Sequence, residues 1–122
     1  MSKAYPLRPG DTAEDRKLVE TTVTTAAPTA SDNGWATDGS DWIHIYMKFP
    51  AGVTECRVIP WYYSEIAEDW YASDEHVFNA TTKFSMCEHR GSGDHVYFQV
   101  TAITGAGTVE IWAARAFDGR SL

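Results

Sequence analysis

Four histidines, His44, His76, His89 and His95, are the side chains of this sequence best suited to holding a metal or moving a proton near neutral pH. Their spacing matches no ligand pattern, and His89 and His95 flank a turn-like stretch where surface histidines are ordinary. Glu65 and Glu68 form a carboxylate pair that could serve acid–base hydrolysis if a cleft held them apart at the right distance. Acids interleaved with aromatics also keep a sticky region soluble, and that simpler account is preferred. The loop "SDNGWATDGSD" lacks the regular carboxylate spacing and closing glutamate of an EF-hand. Gly-x-Ser-x-Gly, phosphate-loop, dinucleotide and His-Glu-x-x-His patterns are all missing. The expectation is therefore a protein with no catalytic residues, no metal and no cofactor.

What remains is aromatic chemistry. The stretch "VIPWYYSEIAEDWY" sets Trp61, Tyr62, Tyr63, Trp70 and Tyr71 among Glu65, Glu68 and Asp69. Such rings can fill a core, stack on sugar C–H faces while acids take the hydroxyls, or anchor a protein interface. Choosing among these requires the elements that carry them.

Seventeen acidic residues against ten basic ones give a net charge of −7, which disfavours a nucleic-acid partner. No apolar run reaches bilayer length, so no membrane partner is expected. With 122 residues, one modest core is the expectation. Residues 1–17 hold Pro6, Pro9 and Gly10 with few apolar side chains, and read as an extended N-terminal arm in which Tyr5, Pro6, Leu7 and Arg8 are the candidate contacts. Residues 18–122 then form a single domain.

"LVETTVTTAAPT" reads as a strand ended by Pro28, and Trp35 sits within the loop that follows. "DWIHIYMKF" alternates, with Ile43, Ile45, Met47 and Phe49 on one face and Trp42, His44, Tyr46 and Lys48 on the other. In "VTECRVIPWYY", Cys56, Val58 and Tyr62 share one face and Ile59, Trp61 and Tyr63 the other, while Pro60 implies an edge strand or a bulge. "SEIAEDW" fits a helical turn or a wide loop. "HVFNATTKFSMC" reads as one strand with Phe78, Ala80, Thr82, Phe84 and Met86 on one side. "HVYFQVTAIT" and "GTVEIWAARAF" flank "GAG" as an antiparallel hairpin; Val96, Phe98, Val100 and Ala102 share one face, and Val109, Ile111 and Ala113 the other strand's equivalent. Cys56 and Cys87 fall in strands and read as buried free thiols, a cross-strand disulfide being the alternative. About six strands without a long helix predict an all-β fold, an antiparallel β-sandwich or jelly roll.

Several strands are apolar on both sides, whereas a sheet with one wet face alternates cleanly. Trp42, Tyr46, Trp61, Tyr63, Trp70, Tyr71, Tyr97 and Trp112 exceed what a small domain readily hides, and together they are the candidate interface or ligand contacts. One possibility is that arm, loop and residues 64–70 fold back over them; another is that neighbouring subunits do.

A β-sandwich of this size with an N-terminal arm, ending in "HVYFQVTAITGAGTVEIWAARAF", resembles small accessory proteins of tailed-phage virions: capsid cement or decoration proteins and related knob or fibre modules. The resemblance spans residues 41–117 and transfers no functional residue. It implies a structural role on the capsid surface of a virion assembled in the host cytoplasm. The implied partners are the major capsid protein and copies of the chain itself, as a trimer or other homo-oligomer. The alternative is a carbohydrate-binding or host-adhesion module of a tail fibre, using Trp61, Tyr63, Trp70 and Tyr71 on a glycan.

Overall fold

The computed structural model describes residues 16–30, 34–37, 39–88 and 95–116. These form nine strands: β1 (Arg16–Thr21), β2 (Trp35–Ala36), β3 (Trp42–Lys48), β4 (Val53–Ser64), β5 (Asp69–Ala72), β6 (His76–Asn79), β7 (Phe84–Glu88), β8 (His95–Gly105) and β9 (Val109–Ala116). One sheet runs β1-β9-β3-β7 and the other β2-β8-β4-β5, with β6 also paired to β4. All pairings are antiparallel. The expected all-β antiparallel sandwich is the observed one. β1 begins at Arg16, inside the expected arm, and the arm contacts Tyr5, Pro6, Leu7 and Arg8 lie outside the described residues.

Alternation builds the core. Ile43, Ile45 and Met47 of β3 meet Val109, Ile111 and Ala113 of β9 on the inner side of one sheet. Against them pack Cys56, Val58 and Tyr62 of β4, Phe78 of β6, and Val96, Phe98 and Val100 of β8. Period-2 side chains leave each strand's other half pointing outward. Cys56 and Cys87 are free and buried, so the disulfide alternative is not formed. Burial pushes the Cys56 thiol up to about 11, which keeps it protonated and unreactive near neutral pH. Cys87 Sγ lies 3.2 Å from the Tyr62 hydroxyl inside the core.

Several expectations are corrected. The terminal segments do not pair as a hairpin: β8 belongs to the five-stranded sheet and β9 to the four-stranded one. They arch over the core and face each other across it, which satisfies the same apolar alternation. The arch is tight, because Gly105 has φ 111° and a Cβ there would strike the Gly52 carbonyl, while Ala106 N donates to Gly52 O at 3.1 Å. The phage-accessory resemblance loses the hairpin among its supports. Within β8 the register shifts opposite Arg57/Val58, so Ile103 rather than Ala102 packs on the core.

"HVFNATTKFSMC" is two strands in different sheets. Asn79 Oδ1 accepts from the amides of Thr81 and Thr82, each at 2.9 Å, and this turn carries the chain from β6 to β7. Phe78 therefore points inward, while Phe84 and Met86 point out. Pro60 is not on an edge: β4 is central. Its missing N–H is tolerated because it faces the notch between β6, whose pairs end at Val58, and β5, whose pairs begin at Trp61; Pro60 O accepts from Ser73 N there. The 64–70 segment is neither helical nor wide, but a short turn joining β4 to β5. Trp35, expected in a loop, lies in β2 against Val96.

β6 and β7 border the same side of the sandwich, where His76 Nδ1 lies 2.6 Å from Ser85 Oγ. Burial lowers the His76 pKa below its ordinary 6.5, partly opposed by Asp74. Neutral His76 is thus favoured by folding, and the unfolded chain takes up the proton first as pH falls. Stability from this site is fully present above 6.5 and declines as pH drops through the lowered value. Urea unfolding between about pH 7.5 and pH 5 is expected to show a shallower loss for His76→Gln than for the parent chain. Equal losses would contradict the assignment.

Candidate functional site

Of the eight aromatics proposed as contacts, four lie on the outer side of one sheet and three on the outer side of the other, while Tyr71 lies on neither. On the outer side of the five-stranded sheet, Trp61 pairs with Tyr97 and Tyr63 with both His95 and Trp70. Trp70 is edge-on to Tyr63 at 5.2 Å and to Tyr97 at 6.2 Å between ring centroids. Trp70 and Tyr97 of this group are tied to residues 26–30, which follow β1. Trp70 Nε1 donates to Ala30 O at 3.0 Å, and Tyr97 OH to Ala26 O at 3.0 Å. Thr25 N donates to Val100 O at 2.9 Å, and its hydroxyl accepts from Val100 N at 2.8 Å, so Thr25 also closes the edge of β8. Gly34 is required beside Trp70, since a Cβ there would sit 2.7 Å from the ring.

Two residues of the expected glycan platform are corrected by this geometry. Trp70 is only 7 % exposed and cannot present a ring face. Tyr71 pairs with the inward-facing Tyr62, and so lies on the opposite side of the sheet from Trp61 and Tyr63. The Trp61 indole N–H is donated to Gln99 Oε1 at 2.8 Å.

The outer side of the four-stranded sheet differs. Cross-strand register sets Trp112 of β9, Tyr46 of β3 and Phe84 of β7 in one row. Ala114, His44 and Met86 form the next row, and Ala116, Trp42 and Glu88 the one after. Phe84 contacts both Tyr46 (5.2 Å) and His44 (5.4 Å, edge-on). Phe84 and Met86 are each 48 % exposed on the edge strand β7. Sequence reasoning assigned Trp42, Tyr46 and Trp112 but missed Phe84 and Met86, because the turn at Asn79 inverts their side.

At one end of this face Tyr46, Met47, Lys48, Lys83, Phe84 and Trp112 line a depression of about 310 Å³. Lys48 Nζ stands 4.4 Å above the Trp112 ring, and Trp112 Nε1 donates to Glu110 Oε1 at 2.8 Å, which fixes the indole plane. The floor is aromatic and the rim carries two lysines in a chain of net charge −7. Such a site offers dispersion and attraction for carboxylates. Among the described residues, no cluster of three or more His, Cys, Asp or Glu is placed to hold a metal ion, and no helix is long and apolar enough to cross a membrane.

Comparison with known proteins gives no family model and no curated protein that matches the chain. Among solved structures, the SPBc2 prophage-derived protein YomS is similar at 14% sequence identity and a TM-score of 0.45, over 84% of this chain and 97% of that one.

Proposed function

We propose that the protein is a noncatalytic structural component of a phage virion, of capsid cement or decoration type. In this reading it docks the outer face of its four-stranded sheet on neighbouring subunits at the capsid surface. One observation carries the docking: Phe84 ends the Trp112–Tyr46 row and Met86 the Ala114–His44 row at the sheet edge, each 48 % exposed, while on the opposite face Trp70 is buried and tied to Ala30. Burying large apolar side chains contributes roughly 25 cal/mol per Å², so a row of this kind stabilises contact with any complementary protein surface. The virion as setting comes from the resemblance of size and N-terminal arm described above. A glycan reading would require an exposed, coplanar set of rings, and the burial of Trp70 removes one member.

Capsid shells assembled without this chain provide the test. Purified protein is expected to co-sediment with them saturably and to raise the temperature at which they come apart. Protein that ignores such shells at every concentration at which it stays soluble would overturn the reading.

A further inference from the structure

The β4–β5 hairpin turns through Glu65, Ile66, Ala67 and Glu68, and Ile66 is 98 % exposed. Turns ordinarily carry Gly, Pro, Asn, Asp or Ser, and a bulky β-branched side chain at the tip serves no local purpose. The tip is nevertheless held firmly. Glu68 N donates to Ser64 O at 2.7 Å, Ala67 N to Ser64 Oγ at 3.1 Å, and Glu68 takes a φ of 56°, a left-handed conformation uncommon outside glycine. Asp69 Oδ1 accepts from Trp70 N at 2.8 Å and ties the turn to β5. Ile66 is thus an aliphatic knob on a preorganised support, flanked by the exposed Glu65 and Glu68.

The depression beside Tyr46 has the opposite character: an aromatic floor, more room than one isoleucine side chain needs, and Lys48 and Lys83 on its rim. Lys83 is exposed and makes no ion pair among the described residues. Knob and depression also lie at opposite ends of the sandwich. The turn leaves β4 just beyond the Tyr63–His95 pair, where β8 begins. Lys48 pairs with Glu110 near the start of β9, immediately after the arch that ends β8. One chain cannot bring its own Ile66 to its own depression.

We propose that Ile66 of one copy seats in the Tyr46–Lys48–Lys83–Phe84–Trp112 depression of the next, with Glu65 and Glu68 set against Lys48 and Lys83. The inference rests on the assembly reading, since it uses part of the same face, and it names a second copy of this chain as the occupant. The contact joins two different patches, so copies add head to tail and close into a ring or extend according to the rotation between them. The Met86 end of the face is left for a different subunit.

The test is sedimentation equilibrium of the full chain and two surface variants, Ile66→Asp and Lys83→Glu. Wild type is expected to grow in mass with concentration, less so at high salt because the charge pairs are exposed. Ile66→Asp alone is expected to associate about a hundredfold more weakly, the scale of losing a buried aliphatic anchor, and Lys83→Glu about tenfold more weakly, the scale of turning an exposed attraction into repulsion, each with an unchanged unfolding transition. An equimolar mixture of the two is expected to stop at one-to-one dimers, since one supplies an intact depression and the other an intact knob. A wild type that stays monomeric, variants that associate like wild type, or a mixture that stays monomeric would each overturn the proposal. Either variant retaining shell binding would locate that failure in the knob contact and leave the docking face standing.

Discussion

Trp70→Ala is expected to destabilise the fold by about 3–5 kcal/mol, the usual cost of truncating a buried tryptophan. In a domain of this size that lowers the melting temperature by roughly 10–20 °C. Three losses combine. The indole contacts with Tyr63 and Tyr97 vanish, and Ala30 O gives up its donor. Ala30 and Gly34, which lie close to that ring, are then left beside a cavity. Thermal and urea unfolding measure the effect directly. A variant that unfolds like the parent but loses a glycan ligand would make Trp70 a binding residue and contradict its packing role.

The second large effect is on docking rather than stability. Phe84→Asp combined with Met86→Asp is expected to weaken binding to capsid shells at least a hundredfold, since two carboxylates would have to be buried against an apolar surface. Stability should change by no more than about 1 kcal/mol, because both side chains are half in water already. Tight binding by this variant would separate the exposed row from docking altogether. The contrast with Trp70 matters: that ring is 7 % exposed and packs inside the fold, whereas Phe84 and Met86 are presented outward.

Much of the fold is legible where both neighbours of a strand are present. In β3 the reading of Ile43, Ile45 and Met47 as inward is met by exposures of 0–2 %. The β4 face of Cys56, Val58 and Tyr62 is equally well specified, because a one-residue slip would turn the entire set outward. Failures occur where a single residue changes the period. The irregularity opposite Arg57/Val58 exchanges Ala102 for Ile103, and the side-chain turn at Asn79 sends Phe84 and Met86 to the surface. Alternation around a glycine turn is equally compatible with a hairpin and an arch. Only the distant partners, β4 for β8 and β3 for β9, decide between them.

The candidate site was legible in composition and not in placement. An excess of rings was plain from Trp42, Tyr46, Trp61, Tyr63, Trp70, Tyr71, Tyr97 and Trp112. Which of them the chain hides depends on contacts such as Thr25 with Val100 and Trp70 with Ala30, and no local pattern encodes pairs so remote in sequence. The depression between Lys48 and Lys83 likewise requires β3, β7 and β9 to lie side by side.

Hydrogen exchange on the protein bound to its shell, compared with the protein alone, tests the docking face most directly. Backbone amides of Phe84–Glu88 in β7 are expected to gain strong protection on binding, while the outer side of the five-stranded sheet around Trp61 and Tyr97 exchanges as before. Protection confined to that second face, with β7 unchanged, would contradict the account.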